Sequence, residues 1–149
     1  MTRVLAAGVF DLLHYGHLRY LEEAKRQGGE GAELIVVVAR DSTVFKRKGR
    51  LPVLKEEHRR ALVEGLKPVN RAILGELDLD MDKVIREVKP DIIAIGYDQE
   101  DLSDLVKLKG IKVIRVGKYG DISSSTIRAM INPASVRREG PSAEPDPRP

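Results

Sequence analysis

The chain has 149 residues, 42% hydrophobic and 33% charged, which suits one ordinary domain with a sizeable core and excludes wholesale disorder. It has no cysteine, which excludes disulfides, thiolate zinc sites and cysteine nucleophiles, and no apolar run nears the ~20 residues that cross a bilayer. Lys+Arg 26 against Asp+Glu 23 leaves a net +3 without a block of five like charges, so no nucleic-acid arm is expected and an anionic small molecule is compatible.

In chain order, Val4–Ala7 reads as a brief strand closed by Gly8. Residues His17–Gln27 follow with Leu18, Tyr20, Leu21 and Ala24 close to helical spacing. The run Glu33–Ala39 is β-branched and apolar on both faces, as a strand covered on both sides requires. Glu56–Leu66 predicts a helix stopped by Pro68, and Arg71–Leu74 a short strand. Asp80 or Asp82 can cap a helix running to Val88, with Pro90 beyond its end. Ile92–Ile95 is a second two-faced strand closed by Gly96, Leu102–Leu108 a short helix, Ile111–Val116 a strand, and Ser123–Ile131 the last helix.

Strands alternating with helices imply a parallel sheet with right-handed crossovers. Five of them predict an α/β, Rossmann-like, doubly wound domain over residues 1–131. Such sheets bind ligands beyond the carboxyl ends of their strands, so the loops after Ala7, Ala39, Ile95 and Val116 are expected to line the site. Residues 133–149 hold five of the eight prolines and almost no large apolar side chain, and 132–149 is read as a disordered tail. Asn and Gln total four, a scarcity that leans towards a thermophile. The opening residues lack the apolar core of a signal peptide, so a cytoplasmic protein is expected.

The first loop carries the strongest chemical signal: Gly8-Val9-Phe10-Asp11-Leu12-Leu13-His14-Tyr15-Gly16-His17. His17 sits where the first helix begins, and a helix start favours phosphate through its free N–H groups and positive dipole end. Two imidazoles there can donate to phosphate oxygens. Gly8 and Gly16 let the backbone approach a nucleotide closely. The bland alternative is two exposed loop histidines with turn glycines. A metal pair is a third reading, but the remaining histidine, His58, falls inside a predicted helix, and no metal ligands are assigned.

Gly-x-Phe-Asp followed by His-x-Gly-His resembles the nucleotidyltransferase superfamily of cytidylyltransferases and related adenylyltransferases. The superfamily's second motif is matched by Ile122-Ser123-Ser124-Ser125-Thr126-Ile127-Arg128. The middle stretch resembles archaeal FAD synthases, which adenylylate FMN, and the likeness covers roughly residues 3–131. It includes Arg40-Asp41-Ser42-Thr43-Val44, Lys46-Arg47-Lys48-Gly49-Arg50 and Glu56-Glu57-His58-Arg59-Arg60. The chain departs from some of those proteins in having no cysteine near the second motif.

The resemblance implies transfer of a nucleotidyl group from a triphosphate to an acceptor phosphate, with pyrophosphate leaving. A phosphate monoester is already nucleophilic at neutral pH, so positioning and charge stabilisation suffice. It implies that His14, His17, Lys46 and Lys48 are catalytic. Val9, Phe10, Tyr15, Gly16, Asp98, Ser123, Ser124, Ser125 and Arg128 then bind the nucleotide together with the two histidines. Asp11, Arg59 and Tyr119 are candidate acceptor or phosphate contacts, with loop orientation or a cation contact the alternatives for Asp11 and ion pairing one for Arg59. Serines at a helix start are also ordinary caps, and a solvated basic patch is the plain reading of the lysines. Mg²⁺ is expected to arrive with the triphosphate. ATP and FMN are the leading substrates, with no nucleic acid or membrane partner, and a homodimer is in keeping with the resemblance. A CTP-dependent cytidylyltransferase for a small phosphorylated alcohol such as glycerol 3-phosphate stays open, as does a pantetheine-phosphate adenylyltransferase. A nucleotide-binding protein without turnover is the alternative from another class.

Overall fold

The computed structural model describes residues 1–76, 81–96, 110–117 and 124–131. Its elements are β1 (Arg3–Gly8), α1 (Tyr15–Gln27), β2 (Glu33–Val38), α2 (Asp41–Lys48), α3 (Glu56–Glu64), β3 (Arg71–Leu74), α4 (Met81–Val88), β4 (Ile92–Ile95), β5 (Lys112–Arg115) and α5 (Ser124–Ile131). The expected helix at Leu102–Leu108 and the tail lie outside the described residues.

All strand pairs are parallel, and the five-stranded sheet runs β3-β2-β1-β4-β5. The period-two alternation of each strand explains why both faces are apolar. Val4, Ala6, Leu34, Val36, Val38, Ile92 and Ala94 join Leu21 and Ala24 of α1 and Val63 of α3 in one core. Leu5, Ile35, Val37, Ile93 and Ile95 turn the other way and join Val84, Ile85 and Val88 of α4. Helices on both faces make the sheet doubly wound, as the alternating pattern predicts.

The strand order reverses direction between β1 and β4, the position where such sheets open a ligand crevice. The β1–β4 ladder ends at Ala6–Ala94, whereas β1–β2 continues to Gly8–Val38. At the point where β1 and β4 part, the Tyr20 hydroxyl of α1 donates to the Ala94 carbonyl at 2.7 Å.

One element differs from expectation. The segment after Ala39 forms helix α2 rather than a loop, with Thr43 and Val44 buried. Gly49 ends it in the left-handed region at φ 70°, its N–H donating to the Phe45 carbonyl at 2.8 Å.

Candidate active site

The loop after β1 is built on unusual backbone. Phe10 and Leu12 have φ of 56° and 50°, a region side-chain-bearing residues rarely enter. The turn at Phe10 folds its ring back over Gly8, where a Cβ would meet Phe10 Cε2 at 2.9 Å. Gly8 is therefore required by close approach. The buried Phe10 ring then lies 5.5 Å from the His17 ring and 6.4 Å from that of Tyr20. Strain of this kind persists where surrounding packing over-determines it, often beside a site.

His14 and His17 cap α1 reciprocally. Gly16 N–H donates to His14 Nδ1 at 3.0 Å, and His14 N–H donates to His17 Nδ1 at 3.2 Å. Each Nδ1 is thus an acceptor, which fixes both neutral rings as the tautomer with hydrogen on Nε2. The ring centroids are 4.0 Å apart, so the two Nε2–H donors belong to one small patch at the helix start. Burial lowers the pKa of His14, and burial followed by the neighbouring His14 lowers that of His17 to about 4, partly offset by Asp11. At neutral pH the pair is an uncharged set of donors. The first turn of α1 contains no acidic residue, so its positive end is not neutralised. Helix α1 opens at Tyr15, two residues before the expected His17, and the Tyr15 side chain is exposed.

Asp11 is 2% exposed and accepts from Val53 N–H at 2.7 Å and Leu54 N–H at 3.0 Å. Its Oδ2 also pairs with Arg128 of α5. Both Asp11 oxygens accept from protein donors, which ties the histidine loop to the 53–54 segment and to α5. Arg50, which sequence reasoning passed over, sits within the electrostatic reach of this pair. Burial and then the Arg128 charge lower its pKa, while Asp11 opposes the shift.

Of the two readings for Arg59, acceptor contact and ion pairing, the structure shows an ion pair with Asp41. Arg59 is 0% exposed, and its guanidinium is occupied by the protein. Nε donates to the Leu54 carbonyl at 3.0 Å, and Nη1 to the Val9 and Ala39 carbonyls at 2.8 Å each. Nη2 pairs with Asp41 at 2.7 Å. Arg59 therefore braces the loops after β1 and β2, and it occupies the Val9 carbonyl. Beside it, α2 and α3 cap one another. Asp41 N–H donates to Glu56 Oε1 at 2.9 Å, and Glu56 N–H to Asp41 Oδ2 at 3.4 Å. Arg40 pairs with Glu56 at 3.2 Å and reaches the Gly75 carbonyl at 2.7 Å. Lys46 and Lys48 stand exposed on the last turn of α2, on a helix rather than in the loop expected after Ala39.

The structure thus brings Val9, Phe10, Asp11, His14, Gly16, His17 and Arg128 into one neighbourhood. Ser124 and Ser125 open α5, the helix that carries Arg128. Asp98, Tyr119 and Ser123 lie outside the described residues. The missed participants Arg40, Asp41, Glu56 and Arg50 are charged residues in a charged stretch, and only pairing distinguishes them from solvated ones.

A doubly wound parallel sheet with a histidine-capped, acid-free helix start beyond its first strand defines a nucleotide-binding α/β protein. The chain belongs to the cytidylyltransferase-like family, which matches residues 5–130. Its relatives include a protein named FAD synthase from Aciduliprofundum boonei, 48% identical over 137 residues that span 88% of this chain and 89% of that one. A FAD synthase from Thermoplasma volcanium is 49% identical over 139 residues, 88% of this chain and 94% of its own. Among solved structures, one described as the lipopolysaccharide core biosynthesis protein from Thermoplasma volcanium GSS1 aligns with a TM-score of 0.72. It is 49% identical and covers 80% of this chain and 99% of that one.

Proposed function

We propose that this protein transfers AMP from ATP to the phosphate of FMN, giving FAD and pyrophosphate. The FMN phosphate oxygen attacks the α-phosphorus in line. A new P–O bond joins the two phosphates, and the bond to the β-phosphate oxygen breaks to release pyrophosphate. The observation that carries the reaction class is the reciprocal histidine cap, which aims two neutral N–H donors from the positive end of α1. Such donors follow charge as it moves onto the leaving oxygens, where a fixed dipole stabilises most. Arg128 supplies a permanent positive charge beside them. The choice of FMN over a small phosphorylated alcohol is supported by the relatives named FAD synthase, at 48–49% identity over 88% of the chain.

Mg²⁺ accompanies the triphosphate and offsets its charge. Asp11, the carboxylate of the histidine loop, is committed to Arg128 and two backbone N–H groups, so triphosphate oxygens and water are the fitting ligands for the ion. Lys46 and Lys48, exposed on the last turn of α2, serve as further cations for the substrate phosphates. No helix among the described residues is long and apolar enough to cross a membrane. We place the protein in the cytoplasm, with residues 1–131 as its single domain and a homodimer as its assembly.

The test is pyrophosphate release with Mg²⁺, comparing ATP and CTP, each alone, with FMN and with glycerol 3-phosphate, while FAD is followed by chromatography. Release needing both ATP and FMN, with FAD in equal amount, is the expected result. Release from CTP and glycerol 3-phosphate with none from ATP and FMN would overturn it.

A further inference from the structure

Asp11 and Arg128 pair across 117 residues of sequence, joining the first loop of the chain to its last described helix. The same carboxylate holds the backbone of Val53 and Leu54, in the segment between α2 and α3. We propose that Asp11 is a positioning residue for the transfer reaction: its buried carboxylate locks the histidine loop, the 50–54 segment and α5 into one unit and presents Arg128 to a substrate phosphate. This rests on the nucleotidyl-transfer reading above and deepens it.

Three observations fit this role better than direct contact. A carboxylate repels phosphate, so an acid among phosphate-binding groups needs another task. At 2% exposure the group is closed off, and its partners are protein donors. Finally, a guanidinium carries five N–H donors, so pairing with Asp11 at Nη2 orients the fork without exhausting it, and the Arg128 side chain keeps 10% exposure. Arg50 adds a second guanidinium near the same carboxylate. Without Asp11, Arg50 and Arg128 repel each other and Arg128 loses its fixed direction.

The phosphate can belong to ATP or to FMN, and the kinetics separate the two. Asp11→Asn keeps one oxygen, enough for one of the two backbone donors, and removes the charge. It is measured with Arg128→Ala and the double variant, varying ATP at saturating FMN and the reverse. Asp11→Asn is expected to lower kcat/KM by about 10- to 100-fold, the scale of one charge-assisted contact, mainly by raising one substrate's KM. The KM that rises identifies the phosphate. The double variant should be no slower than Arg128→Ala, because Asp11 acts through Arg128. A merely structural role would lower the melting temperature, leave both KM values in place and multiply with Arg128→Ala; that outcome overturns the proposal. If Asp11→Asn does not fold, Val53→Pro deletes one backbone donor to Asp11 while sparing both charges. Its smaller loss should also vanish in the Arg128→Ala background, and a loss that persists there overturns the proposal. Wild-type protein that makes no FAD defeats the substrate reading alone. The same cycle then runs on Mg·ATP affinity by calorimetry, where additive losses count against Asp11 as a positioning residue.

Discussion

The start of α1 and the starts of α2 and α3 meet the same need with opposite chemistry. Every helix start leaves N–H groups without intrahelical partners. At α2 and α3 these are answered by carboxylates, Glu56 for one and Asp41 for the other, with Arg40 and Arg59 balancing the charge. Those helix ends are electrically closed. At α1 the caps are two imidazoles with lowered pKa, and the first turn has no acid. That helix end is satisfied yet remains positive. A capping group can therefore stabilise a helix and still leave its dipole available to a ligand, provided the cap is neutral.

The largest test of this contrast gives α1 the chemistry of its neighbours. Asp is a better N-cap than His, so His14→Asp should keep or raise the melting temperature. It should also lower kcat/KM by about 10³-fold, since it removes a donor and places a negative charge against phosphate. Unchanged turnover would show that the neutrality of the cap is irrelevant. His17→Asn, which loses one Nε2–H donor, should cost about 10²-fold in kcat/KM, read in the same assay.

His17 also makes a prediction about pH. The unfolded imidazole titrates near 6.5 and the folded one near 4. Between these values the unfolded chain binds the extra proton, so this contribution to stability is full above about pH 6.5 and is lost as pH falls towards 4. The loss is at most about 3.5 kcal/mol at about 1.4 kcal/mol per unit. Urea midpoints of wild type and His17→Asn across pH 4–7 should converge at the acid end. Parallel curves would contradict the burial assigned to His17.

At the closed end the effect should fall on stability. Glu56→Ala removes the cap on Asp41 N–H and the partner of Arg40, and should cost about 1–2 kcal/mol in denaturant unfolding. Its kcat should stay within severalfold, whereas a loss as large as that of His17→Asn would erase the distinction between the two regions. The smallest effect is expected from deleting residues 133–149, whose composition offers almost nothing to bury. Activity within twofold of wild type checks it, as does an unshifted melting temperature.

Much of this was legible along the chain. The strands announced themselves because both faces of the sheet are covered, which makes Leu34–Val38 and Ile92–Ile95 uniformly apolar. The histidine motif was visible because its chemistry lies within four consecutive residues. Helix α2 was not, since Asp41–Lys48 has little apolar periodicity and ends in three cations. Its signal was Gly49, which stops it in the left-handed region.

By itself the sequence determined the parallel α/β layering, the histidine-bearing start of α1 and the resemblance to archaeal FAD synthases, because these depend on residue type at short spacing. Only the tertiary structure decided what each charge pairs with. Arg59 and Arg128 look alike as letters, but one is buried among the Val9, Ala39 and Leu54 carbonyls, and the other stands part-exposed on Asp11. Those partners come from separate loops that meet only at the carboxyl ends of the strands. Whether an arginine is spent within the fold or keeps donors to spare is set by which of its N–H groups the fold has already taken.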